Sequence, residues 1–463
     1  MKNYTPSSLS IQKEIIKHQL NLDSEIDKSI KELGVKTLLQ KSGITKRKGF
    51  PALQLLFALI LLPFFKISLA SLWAGRMVEH IFSANKDTYY RFLNRECFNW
   101  RKFIMLLASR LTTRLDHRPL KDKVLIADDT LLAKTGQNME LVSYHYDHTK
   151  KIPQLGYQML QLGYHNGDYF YPLDIAFHSS KHRTNPEIRD LDHRTCGWKR
   201  RAEAFQKKTD VLVAMVRRAW QAGIEAQFIL FDSWFAYDKI IFQIKLIGYD
   251  VITRLKRNQT RYGYGDQTLT LAKLWHDIAR HQLQWVKSWQ VQATFLDVHL
   301  PQSGKVRIVF VRASKKQWHA FLSTNVSMEL TDILKYYSRR WAIEVYFRDC
   351  KQMLYLGQGQ SETFDAVIAL ASLVMLRYLL LVYILAKRQL SGPLGPLFRD
   401  IVHEHLQIAM AEVLWNRIKE IFLLSTKLFW ETFESENFFQ LIDFIENILP
   451  NYKFSSIRST AKL

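Results

Sequence analysis

Two short runs of apolar and β-branched residues, far apart along the chain, each stop at an acid. Val124-Leu125-Ile126-Ala127 ends at Asp128-Asp129-Thr130, and Phe228-Ile229-Leu230-Phe231 ends at Asp232-Ser233-Trp234. Continuous apolar runs of this length read as buried strands. An open α/β sheet binds its ligands in the crevice beyond the carboxyl ends of such strands, where a side chain leaves the core. An Asp after a strand is also a common turn or helix-capping residue, and Asp232 precedes a helical stretch from Tyr237 to Ile247. The two runs nevertheless point to an α/β sheet with acids at one end.

A third acid lies in the stretch from Tyr337 to Lys351. At about 100° per residue, a continuous helix would gather Tyr337, Arg340, Glu344, Arg348 and Lys351 within an arc of roughly 80°. That stripe is too cationic for a core, and the flanking bases keep Glu344 ionised. Alone it also describes a solvated amphipathic helix with spaced ion pairs. Three carboxylates drawn from distant segments suit a pair of Mg²⁺ ions, each of which takes one or two protein oxygens. Two such ions about 4 Å apart activate an attacking oxygen and stabilise a leaving one at phosphorus. The implied chemistry is phosphodiester cleavage or transfer. A formal net charge of +22 biases the chain toward polyanions. Basic runs mixed with aromatics recur at Thr45–Lys48, Trp198–Arg201, Arg254–Arg257 and Lys315–Trp318, a composition that holds phosphates and stacks bases.

Tyr337, Arg340, Glu344 and Lys351 fill every position of Tyr-x2-Arg-x3-Glu-x6-Lys. In this the chain resembles the bacterial insertion-sequence transposases that carry the YREK signature, cut-and-paste enzymes with an Asp, Asp, Glu triad on a ribonuclease H-like fold. The resemblance extends over roughly residues 85–385, including Asp87–Asn94, which looks like the end of the family's DNA-binding region. It implies that Asp129, Asp232 and Glu344 are the catalytic acids and the ligands of two Mg²⁺ ions, with Mn²⁺ as a substitute. Asp128 competes with Asp129, because adjacent strand residues face opposite ways. Asp129 is preferred on the resemblance, since the family's acid is commonly followed by Thr or Gly-Thr. Tyr337, Arg340 and Lys351 would grip phosphates, and Arg348 shares their face outside the signature. Trp318 would either stack on an extruded base, as an insertion-domain Trp does in some relatives, or simply pack. Implied partners are double-stranded DNA, as element ends and target, and a second copy of the chain in a synaptic homodimer. The reaction would be cleavage by water followed by attack of the freed 3′ hydroxyl. A ribonuclease H-like nuclease or resolvase that does not join ends, or an inactive DNA-binding repressor, are the alternatives.

The pattern along the chain predicts a mixed α/β fold in five parts: a helical DNA-binding region (1–115), the first part of a ribonuclease H-like core (116–257), a mostly β insertion (258–330), the Glu344 helix with the helix after it (331–390), and a helical C-terminal region (391–463). Alternating runs at Tyr157–Tyr164 and Tyr169–Phe177 flank Asn166-Gly167, a hairpin turn. From Lys199 to Ala222, Phe205, Leu212, Val213, Val216 and Trp220 recur at helical spacing. A strand over Tyr249–Arg254 and short runs at Trp285–Leu300 and Lys305–Arg312 follow. The apolar block Phe50–Trp73 contains prolines and splits into two packed helices. Ala366 to Ala386 is long enough to span a bilayer, but Arg377 at its centre is expensive in lipid. A buried helix is expected, with no membrane partner. No cleavable leader is visible, so the expected location is the cytoplasm, on the nucleoid when DNA is bound. Cys97, Cys196 and Cys350 are too few for a disulfide framework and read as packing residues. The fifteen histidines form no zinc motif.

Overall fold

A computed structural model describes residues 24–68, 84–147, 150–312, 314 and 317–428. Their strands join in one mixed sheet of twelve: β1 (Val124–Ala133), β2 (Ser143–Asp147), β3 (Ile152–His165), β4 (Phe170–His178), β5 (Phe228–Phe231), β6 (Asp250–Arg254), β7 (Arg261–Tyr264), β8 (Gln267–Thr270), β9 (Gln284–Val286), β10 (Val291–Leu300), β11 (Gly304–Arg312) and β12 (Trp318–Ser323). β4 and β3 pair antiparallel, β3 pairs antiparallel with β1, and β5 and β6 then add in parallel. This is the strand arrangement expected of a ribonuclease H-like core. The β3–β4 turn forms where Asn166-Gly167 stands: Gly167 takes φ 102°, and the Asn166 amide oxygen accepts from the Asp168 and Tyr169 N–H groups.

Contacts divide the chain into two compact units. The larger, Ile30–Ile60 with Ala84–Gly395, holds the whole sheet. Asp174 on β4 is fully buried and accepts from Arg101 Nε and Arg218 Nε, each at 2.7 Å, so one carboxylate fastens the helices Trp100–Leu115 and Lys208–Gln221 to the sheet. The helix Phe364–Lys387 is the one described helix long and apolar enough to cross a membrane, and 89% of its most apolar window is buried by protein. Arg377 at its centre donates to the carbonyls of Leu59, Ile60 and Leu354, three acceptors that replace the water it has lost. In the smaller unit, Phe64 stacks on His405 of the helix Leu394–Leu428, ring centroids 5.6 Å apart.

The helical pattern of Lys199–Ala222 resolves into two helices, Cys196–Ala204 and Lys208–Gln221. Leu212, Val213 and Val216 are buried as expected, but Phe205 is 47% and Trp220 57% exposed. Extended backbone at Lys207 resets the helical phase, and Ala219 takes the inward position that follows Val216. Trp285–Leu300 is likewise two strands, reversing through Gln290 at φ 52°. β12 pairs antiparallel with β6, which makes the inserted β segment continuous with the main sheet. The helix Ala52–Leu61 is the first of the two expected from Phe50–Trp73, and the end of that block lies outside the described residues. Cys350 is buried, whereas Cys97 is exposed and is no packing residue.

Candidate active site

Parallel pairing of β1 with β5 runs from Val124↔Phe228 to Ala127↔Phe231 and stops there. The next residue on each strand is an acid, Asp128 and Asp232. Register therefore sets them side by side on adjacent strands, pointing to the same face. β5 ends as Asp232, still extended, leads into a tight turn at Ser233–Phe235, while β1 continues alongside β3 to Ala133. The divergence opens a crevice at the carboxyl end of the parallel strands, where such sheets bind ligands.

Strand alternation divides the Asp pair. Asp128 Oδ2 accepts from Arg340 Nη1 at 2.6 Å, and the other Arg340 nitrogen donates to Glu344. Thr130, two residues on and facing the same way, accepts from Lys351 Nζ at 2.7 Å. Asp129 faces the opposite side of the sheet, where its carboxylate meets Lys208 Nζ at 2.6 Å. That ammonium also lies 4.2 Å from the centre of the Trp234 ring, in the turn after Asp232. The structure thus gathers Asp128, Asp232, Arg340 and Glu344, and it leaves out Asp129, the acid that the resemblance favoured. Register decided this, because the pleat leaves one position of an adjacent pair facing the crevice.

The stretch Tyr337–Lys351 is not one helix. Leu330–Ser338 and Trp341–Met353 meet at Arg339-Arg340, where the Arg339, Arg340 and Ala342 N–H groups bond three residues back at 3.0 Å. Arg340 consequently sits at the start of the Glu344 helix, and its side chain reaches back to β1. Tyr337 packs on Phe321 with ring centroids 4.8 Å apart, and burial pushes its hydroxyl up to about 12. Lys351 touches β1 beyond the acids, at Thr130 and the Leu131 carbonyl. Arg348 pairs with Asp349 at 3.1 Å and stays half exposed, outside the acid cluster.

Burial pushes the Asp128 carboxyl up to about 7; Arg340 opposes the shift, and the negative charges of Asp129 and Asp232 add to it. Such a site calls for positive charge. Among the described residues no three His, Cys, Asp or Glu side chains form a ready-made metal cage, and the guanidinium of Arg340 stands between Asp128 and Glu344. The donors themselves, three carboxylates with no thiolate or imidazole, fit a hard divalent cation.

Beside Asp232 opens a cleft of about 620 Å³ lined by Arg254, Lys256, Arg257, Trp318 and His319. β12 brings the last two next to the basic run that ends β6. Trp318 is only 8% exposed, stacks on Trp275 with centroids 4.9 Å apart and carries Arg257 4.2 Å from its ring, so it is a packed wall of the cleft. Sequence reasoning missed Lys208, whose meeting with both Asp129 and Trp234 depends on tertiary packing alone.

The sequence profile of the family described as DDE superfamily endonuclease matches residues 43–275, a span that holds both strand-end acids and ends before Glu344. No curated protein matches the chain significantly. Among solved structures, the Drosophila P element transposase strand transfer complex is similar at 12% identity over 83% of this chain and 92% of that chain, with a TM-score of 0.22. The family profile covers half of the sequence, and the chain belongs to the DDE superfamily endonucleases.

Proposed function

We propose that this endonuclease is a DNA transposase of the bacterial insertion-sequence type, with Asp128, Asp232 and Glu344 as its three acids. One observation carries the reading: a single guanidinium joins Asp128 to Glu344, which lie far apart in the sequence, while strand register sets Asp232 next to Asp128. In this reading the three carboxylates would hold two Mg²⁺ ions, or Mn²⁺ in their place, which when bound polarise the scissile phosphate and the attacking oxygen. Arg340 holds the carboxylates in place before substrate arrives and has a fork suited to a phosphate thereafter. Lys351 and Tyr337 flank it along the path of the cleaved strand. The cleft beside Asp232 offers further cations to the DNA backbone, and its shape is held by Trp318. The same site serves hydrolysis at the element's end and attack by the freed 3′ hydroxyl on target DNA, because both are in-line displacements at phosphorus. Partners are double-stranded DNA and, when two ends are held together, a second copy of the chain. The reading places the reaction in the cytoplasm, with a helical DNA-binding region ahead of residue 116 and a β insertion over 258–330.

The test uses a plasmid carrying the element with its own ends. Wild type should nick it in Mg²⁺ and not in EDTA, and Asp128→Asn, Asp232→Asn and Glu344→Gln should each abolish nicking while DNA binding persists, since phosphate contacts supply most of the affinity. Joining of a pre-cut end to a target distinguishes a transposase from a nuclease that only cleaves. Undiminished cutting in EDTA, or by Asp128→Asn, would sink the assignment.

A further inference from the structure

A cavity of about 20 Å³, room for one particle the size of a water molecule, lies where the helix Trp100–Leu115 begins beside the helix Cys196–Ala204. Trp100 and Arg200 line it and are only 3% and 8% exposed. Trp100 Nε1 and Arg200 Nη2 are buried donors with no hydrogen-bond partner among the described residues. Neither side chain can accept a hydrogen bond. No buried side-chain acceptor of the lining is left without a donor among those residues, so the cavity asks for an acceptor alone. Charge leans the same way. Arg101, Arg200 and Arg218 share two carboxylates, Asp174 and Glu203, which leaves one guanidinium charge in excess. Burial, and then the charge of Arg101, push the Arg200 guanidinium down to about 10. The other acids of the lining do not supply the missing charge: Asp365 is held by Arg201 at 2.8 Å, and Glu96 is matched in the lining by Arg95.

We infer that this cavity is a binding site for a single chloride ion, independent of the strand-cutting site. A halide accepts from both orphaned donors and brings the charge that the three arginines lack, and a buried charge is stable only when it is paired. Phosphate, sulfate or a carboxylate is too large for the volume. A water molecule could accept the same two bonds, but its own protons would then need acceptors that the lining does not offer, and the excess charge would stay. The ion would tie the first turn of the helix Trp100–Leu115 to the helix Cys196–Ala204, close to the place where Asp174 fastens Arg101 and Arg218.

The test compares thermal unfolding of the full chain in sodium chloride and in sodium gluconate at equal ionic strength, since gluconate cannot enter the cavity. With chloride roughly tenfold above its Kd, wild type should melt about 3 °C higher than in gluconate. Trp100→Phe, which keeps an aromatic ring in the packing, and Arg200→Met should each lose that difference between the two salts, whatever their own stability. A general effect of chloride on the basic surface would persist in both variants. Crystals grown in bromide should show an anomalous scattering peak inside the cavity. Equal melting of wild type in the two salts, a chloride effect that survives in either variant, or a cavity that holds only water in the bromide crystals overturns the site.

Discussion

Arg340 donates from one nitrogen to Asp128, 2.6 Å away, and from the other to Glu344, tying the middle of β1 to the helix that carries the third acid. A lysine cannot make this connection, since its single ammonium lacks the rigid fork of a guanidinium. Arg340→Lys should therefore behave more like Arg340→Gln than like wild type. Both should lower the single-turnover cleavage rate by roughly a hundredfold, the usual loss when a preorganised donor to developing charge is removed. A rate for Arg340→Lys within a few-fold of wild type would show that charge alone suffices.

The two adjacent acids should separate cleanly on mutation. Asp128→Asn removes a group in the crevice and should leave no measurable cutting. Asp129→Asn removes a partner of Lys208 on the other face, an ion pair largely shielded from solvent. It should retain its Mg²⁺ requirement and lose about tenfold in rate, because Lys208 rests on Trp234 and so steadies the turn that follows Asp232. Lys208→Met should reproduce that loss. The decisive comparison is the Mg²⁺ titration of nicking: a midpoint moved strongly by Asp129→Asn would return that residue to the metal.

Much of this site was legible in the chain, and the reasons differ residue by residue. The stops after Ala127 and Phe231 are local events, visible because an apolar run and its terminating acid lie together in sequence. Which member of Asp128-Asp129 faces the crevice is not local, for it depends on the phase of the pleat fixed by Ala127↔Phe231 and Asp128↔Gln161. The break at Arg339-Arg340 was equally hidden. Both residues are good helix formers, and the joint coincides with the place where Arg340 is engaged by Asp128 on a distant strand. The reading of Trp318 was limited in the same way, since Trp275 and Arg257 approach it only once the β insertion has folded.

Asp174 offers a test of the core that is independent of catalysis. Its carboxylate is buried, which raises its proton affinity, but Arg101, Arg218 and Arg200 outweigh burial and hold it below the usual carboxylate range. Asp174→Asn should cost about 3 to 5 kcal/mol, because two arginines would lose the buried carboxylate they share and keep only Glu203. Denaturant melts would read this directly. A loss under about 1 kcal/mol would mean that Glu203, which also pairs with Arg101, carries the network alone.

His405 gives the pH dependence its sign. It is buried between Phe64 and Phe65, its Nδ1 faces the Ile401 carbonyl at 2.8 Å, and its Nε2 has no partner among the described residues. Burial drives the imidazole down from 6.5 to about 4, so the folded chain holds it neutral while the unfolded chain binds a proton. The favourable contribution is complete above pH 6.5 and is lost as pH falls from 6.5 toward 4. Across that window the change amounts to roughly 3 kcal/mol. His405→Phe keeps the ring stack with Phe64 and removes the titrating nitrogen, so its melting temperature should fall less steeply than that of wild type over the same range. Thermal unfolding at several pH values checks this, and parallel curves for the two proteins would mean that His405 is protonated in the folded chain.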